Sequence, residues 1–156
     1  MRMLSLPTVC LLALSLIFTP AALASPEAEE AERKAVEAAV NDYILGFYRG
    51  ELERLEKVLA PDMRKLGWWR GEGTTEFKGP YPMTKEAALK LAPKFHKEQN
   101  LPEDAFRRAV VLDVMGKTAS AKAEAMWGID YIHLAKEDGK WIIHNIIWQS
   151  WPTDKQ

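Results

Sequence analysis

The stretch IDYIHLAKEDGKWIIHNIIWQ, residues 129–149, decides the fold. Two runs rich in β-branched and aromatic residues flank Asp138-Gly139, a dipeptide suited to a two-residue hairpin turn because both of its residues accept positive φ. The spacing predicts strands over Ile129–Lys136 and Trp141–Gln149, with His133 opposite His144 and Ile132 opposite Asn145. Alternation then places Asp130, Ile132, Leu134, Trp141, Ile143, Asn145 and Ile147 on one face. Tyr131, His133, Ile142, His144, Ile146 and Trp148 fall on the other.

Working upstream, Phe106–Val114 and Ala119–Trp127 read as a further hairpin around Met115-Gly116-Lys117, with Arg107 opposite Glu124 and Ala109 opposite Lys122. Its inner row is Arg108, Val110, Leu112, Ala119, Ala121, Ala123 and Ala125. Before this meander the period changes to that of helices. Val36, Val40, Tyr43, Ile44 and Phe47 form one stripe of a helix over Glu27–Arg49 that Gly50 ends. Leu52, Leu55 and Leu59 mark a shorter helix stopped by Ala60-Pro61. Asp62–Arg70, closing in Trp68-Trp69, reads as a strand, and the Gly- and Pro-rich segment from Gly71 to Pro82 as a loop at a rim. Thr84 caps a third helix carrying Ala88, Leu91 and Phe95. Helices followed by a meander define an α+β fold, with a mostly antiparallel sheet packed against three helices from the N-terminal half.

Composition narrows the function classes. The chain has 156 residues, 47% of them apolar, and a formal net charge of −1. Such a chain buries a core, and its charge offers no footprint for nucleic acid or for an anionic membrane. Residues 1–24 read as a cleavable signal peptide: Arg2, the apolar run Val9–Phe18, Pro20 and the Ala22-Leu23-Ala24 cleavage site. The mature chain, 25–156, is expected to be a single exported domain, periplasmic or secreted, with no membrane attachment after cleavage. The one cysteine, Cys10, lies in the removed segment, so no disulfide, thiolate nucleophile or cysteine metal ligand remains. No nucleophile elbow, phosphate loop, HExxH or dinucleotide fingerprint is present, and neither metal nor cofactor is expected.

Several stretches together resemble the nuclear transport factor 2-like superfamily, and within it the branch described as lumazine-binding: YILGFYRGELERLEKVL (43–59), Pro61-Asp62-Met63, RRAVVLDVMGKT (107–118), Asp130-Tyr131-Ile132 and the terminal DGKWIIHNI. The resemblance implies a cone-like curved sheet with a pocket between helices and sheet, commonly in a dimer. It implies no single activity, because relatives include isomerases, dehydratases and domains that only bind. Where Ala60 precedes Pro61-Asp62, a histidine is common in the branch, and chemistry tied to that histidine is not expected here.

The inward polar residues are the candidate ligand contacts: Tyr43, Trp69, Arg108, Asp130 and Asn145. Among apolar neighbours a carboxylate such as Asp130 is suited to general-base work, and as the bland alternative it pairs with Arg108. The leading expectation is an exported domain binding a small organic molecule. One alternative is a cofactor-free isomerase or dehydratase with Asp130 as base; another is an interaction module using the aromatic outer face. That face, Tyr131, His133, His144, Ile146 and Trp148, is the expected homodimer surface. Two cross-strand histidines alone do not make a metal site.

Overall fold

The computed structural model describes residues 25–71 and 73–152; the expected signal segment, 1–24, lies outside the described residues. The chain opens with α1 (Pro26–Arg49) and α2 (Leu52–Val58), continues through β1 (Leu59–Trp69) and β2 (Lys78–Thr84) to α3 (Lys85–Gln99), and ends in β3 (Arg107–Met115), β4 (Thr118–Ala125), β5 (Gly128–Glu137) and β6 (Lys140–Gln149). The Ser25 side chain accepts from the Ala28 amide and Pro26 occupies the first turn, which starts α1; Gly50, at φ 66°, stops it. Thr84 caps α3 as expected, accepting from the Ala87 amide, and Asn100 ends it in the left-handed region.

One sheet runs in the order β2-β1-β6-β5-β4-β3. All pairs are antiparallel except β1 with β6. Where the sequence predicts a Gly- and Pro-rich loop, the chain forms strand β2, paired from Arg64↔Thr84 to Trp69↔Lys78. Pro80 and Pro82 lack a backbone donor, and an outermost strand tolerates that because one of its edges is unpaired. The three helices cover one sheet face, and the core lies between: Val36, Val40, Ile44 and Phe47 of α1 meet Ala121, Ala123, Ile132, Ile143 and Ile146 of the sheet. Small alanines on β4 let α1 approach closely.

Asp138-Gly139 turns as the sequence predicts, with Glu137 opposite Lys140 and φ values of 46° and 78° at the two turn residues. Farther along, the register departs from even alternation. His133 pairs with Asn145 and Leu134 with Ile143, so His144 is an extra residue in β6, a bulge. Beyond it the faces exchange. Ile146 is buried in the core and Trp148 packs against it, whereas Asn145 and Ile147 turn outward. Ile146 and Trp148 therefore leave the expected outer surface, Asn145 leaves the expected pocket, and the cross-strand pairs His133–His144 and Ile132–Asn145 do not form. A second irregularity, at Leu112 in β3, separates Val111↔Ala121 from Asp113↔Ser120. The turn also falls one residue later than expected, with Met115 opposite Thr118, and the extra residue takes half of that shift back, so Arg107 lies opposite Ala125, Arg108 opposite Glu124 and Ala109 opposite Ala123. Ala109, Val111 and Val114 pack on the core, and Arg108, Val110 and Leu112 do not.

Candidate functional site

A chamber of about 170 Å³ opens between helices and sheet, lined by Tyr43, Phe47, Lys65, Met83, Leu91, Phe95, Trp127 and Trp148. Each wall has a local cause. Tyr43 and Phe47 are one turn apart on the buried stripe of α1. Lys65 follows Met63 by two residues on β1 and so shares its inward face. Trp127 sits in the short turn between β4 and β5, where Tyr43, Phe47, Tyr48 and Phe95 pack around it edge-on at centroid distances of 6.3, 5.7, 5.6 and 5.6 Å. Trp148 reaches the chamber because of the His144 bulge and because Gly67 leaves room. A Cβ at Gly67 would stand 1.7 Å from the Trp148 indole nitrogen.

The polar part of the chamber is a four-residue cluster around Asp130, which is fully buried. Its Oδ1 accepts from the Lys65 ammonium at 3.0 Å; its Oδ2 accepts from the Tyr43 hydroxyl at 2.9 Å and from the Trp127 indole N–H at 3.1 Å. Lys65 also donates to the Tyr43 hydroxyl at 2.7 Å. Its side chain is 7% exposed, and the ammonium stands 5.2 Å over the Trp148 ring. Burial pushes the Lys65 amine below its usual pKa, and the Asp130 charge and hydrogen bond oppose that shift. Burial, then the Asp130 charge, drives the Tyr43 phenol well above its usual range, so it remains a donor. An ammonium has three N–H donors and two are used. Lys65, Tyr43 and Trp127 line the chamber, with Asp130 enclosed behind them.

A wider vestibule of about 640 Å³ shares the Phe95, Trp127 and Trp148 walls and adds Trp69, Arg70, Gly71, Gly73, Ser150 and Trp151. Arg70 hydrogen-bonds the carbonyls of Thr74 and Trp151.

Of the residues expected to contact a ligand, Tyr43 lines the chamber, Asp130 lies directly behind it and Trp69, 50% exposed, stands in the vestibule. Arg108 is elsewhere: its side chain is 62% exposed and ion-paired with Glu124, not with Asp130. Asn145 is near His133 on the outer face. Lys65, Trp127 and Trp148 complete the site and were not among the expected contacts. For Lys65 the available sign was the row Met63, Lys65, Gly67 at strand spacing, which carries a lysine inward on the same face as a buried methionine. Tyr131, His133 and His144 do face outward. Among the described residues no group of three or more His, Cys, Asp or Glu stands together in a way that would hold a metal ion.

Helices closing over the concave side of a six-stranded sheet, with an aromatic chamber between, define a nuclear transport factor 2-like protein. Solved structures of that class superpose on it. An NTF2-like protein of unknown function from Silicibacter pomeroyi shares 17% identity at a TM-score of 0.59, over 78% of this chain and 98% of that one. One from Shewanella baltica gives 16% and 0.56, over 80% and 97%, and one with a cystatin-like fold from Novosphingobium aromaticivorans gives 14% and 0.58, over 81% and 85%. At these identities the likeness concerns the fold. Within the superfamily, the family described as "Putative lumazine-binding" matches residues 31–149, and the chain belongs to it. No curated protein matches the chain.

Proposed function

We propose that the chain, exported and freed of residues 1–24, binds a small flat organic molecule in the chamber. The observation that carries this reading is the buried Lys65 ammonium on the wall of an otherwise apolar, aromatic cavity. Few polar groups among apolar walls are the ordinary composition of a ligand site. The chamber is smaller than the roughly 300–1,000 Å³ typical of such sites, so the ligand's ring enters it and the remainder occupies the vestibule. Phe47, Phe95, Trp127 and Trp148 supply ring contacts, and the free N–H of Lys65 supplies a donor for a carbonyl or anionic oxygen. Lumazine, named in the family's description, is flat and carries ring carbonyls, and so suits both features.

Asp130 is cast as the counter-ion that holds Lys65. With three hydrogen bonds and no place on the chamber wall, it does not reach a ligand atom to take a proton from it directly. Titrating the protein with lumazine while following tryptophan fluorescence tests the reading, because Trp127 and Trp148 line the chamber. Saturable quenching that Met83→Trp abolishes by filling the space is expected. Absence of quenching in the wild type, or quenching unchanged in Met83→Trp, contradicts it.

The outer sheet face is assigned to a second copy of the chain. Tyr131 is 50% exposed, and Ile147, from the exchanged part of β6, lies on the same face with Leu66 of β1 also exposed. Two such faces packed together bury one another's apolar surface.

A further inference from the structure

Resting on that reading of the chamber, we propose that Lys65 is a covalent carbonyl site: its Nζ condenses with an aldehyde or ketone on an aromatic ligand to form a protonated imine. Lys65 is the only buried lysine among the described residues, and its ammonium opens onto a cavity that admits an aryl group. Two groups suited to proton movement flank it, the Tyr43 hydroxyl at 2.7 Å and the Asp130 carboxylate at 3.0 Å. The amine's lowered affinity for its proton favours the nucleophilic form.

The step balances with no further reagent. Asp130 takes one proton from the ammonium, and the free amine turns its lone pair toward the chamber and attacks the carbonyl carbon. One N–H proton of the new adduct passes to the alkoxide, giving the carbinolamine, and the proton held by Asp130 returns through the Tyr43 hydroxyl to the carbinolamine oxygen. The C–O bond breaks, water leaves and the C=N bond forms. An ammonium and a carbonyl thus become an iminium and one water. The iminium keeps the positive charge of Lys65, so Asp130 is never left as a buried lone anion. Aromatic walls that hold little water favour the dehydrated product.

Reductive trapping tests this. The purified protein is incubated at pH 7 with 2-naphthaldehyde and cyanoborohydride, and the adduct is mapped by peptide mass spectrometry; tryptophan quenching by 2-naphthalenemethanol, which cannot form an imine, reports occupancy of the chamber separately. Adduct at Lys65 should exceed that at any surface lysine by about tenfold or more, since an ordinary lysine with pKa near 10.4 is almost wholly protonated at pH 7. Lys65→Arg should lose that adduct. Quenching by the alcohol with labelling spread over surface lysines overturns the covalent site and leaves the binding reading in place. If neither compound occupies the chamber, both fail.

Discussion

Lys65 and Asp130 would each be costly to bury alone, and their 3.0 Å contact is what makes both tolerable inside the protein. Lys65→Met leaves an uncompensated carboxylate and should cost roughly 3–5 kcal/mol. Lys65→Met with Asp130→Asn removes both charges and keeps acceptor and donor atoms near Tyr43 and Trp127, so most of the loss should be recovered. Urea unfolding of the singles and the double settles the coupling; a Lys65→Met midpoint equal to the wild type would count against an obligate pair. Glu124 offers a pH-dependent case. Burial alone would raise its pKa, but hydrogen bonds from Lys122 and Arg108 outweigh that and hold it below the ordinary 4.5. A folded-state pKa below the unfolded one contributes stability that is present above pH 4.5 and lost as pH falls through the folded value. Arg108 is largely exposed, so the contribution is modest, about 1 kcal/mol. Glu124→Gln should therefore be less stable than the wild type at pH 7 and nearly equal to it at pH 3, read by denaturant midpoints.

At the scale of elements, two bulges separate what the sequence shows from what it hides. The alternation of β5 and of β4 is regular, and Asp130, Ile132, Leu134 and the alanines face inward as their spacing predicts. In β6 the run Ile142, Ile143, Ile146, Ile147 supplies an apolar residue to either face in either register, so pattern alone does not locate the extra residue at His144. Arg108 faces outward, against its spacing, for the same kind of reason: one residue is inserted at Leu112. Strand β2 escaped notice because Gly79, Pro80 and Pro82 are loop-like until an edge position accommodates them. Trp127 continues the strand pattern in sequence, but β4 ends at Ala125 and a turn holds it. A deletion pair follows from the bulge. Removing His144 restores even alternation and keeps Ile146 and Trp148 inward, so that variant should retain its far-ultraviolet circular dichroism. Removing Tyr131 from regular β5 turns Ile132 outward and should abolish the folded spectrum. Unfolding on loss of His144 would contradict the register described for β6. Gly67→Ala places a methyl where the Trp148 indole lies and should cost roughly 1–3 kcal/mol while reducing ligand quenching.

For the whole molecule, the order of helices and meander made the fold class and family legible, because both depend on the sequence of periodicities rather than on any one register. The chamber was half legible: Tyr43 and Asp130 could be placed by spacing, whereas Lys65 and Trp148 needed the geometry of β1 and the bulge. On the opposite face, Tyr131→Asp should shift a dimer to monomer in light scattering without changing the circular dichroism; a wild-type monomer at working concentration would count against the paired arrangement.

A small organic molecule held in the chamber should travel with the protein through purification. Native mass spectrometry of the protein purified from its own source tests it most directly, under conditions that keep non-covalent ligands attached and with Met83→Trp prepared in parallel. One organic molecule per chain is expected in the wild type and none in Met83→Trp. An equal load in both proteins would place the ligand outside the chamber, and a wild type that is bare and takes up no flat carbonyl compound on addition would rule out a ligand in the chamber.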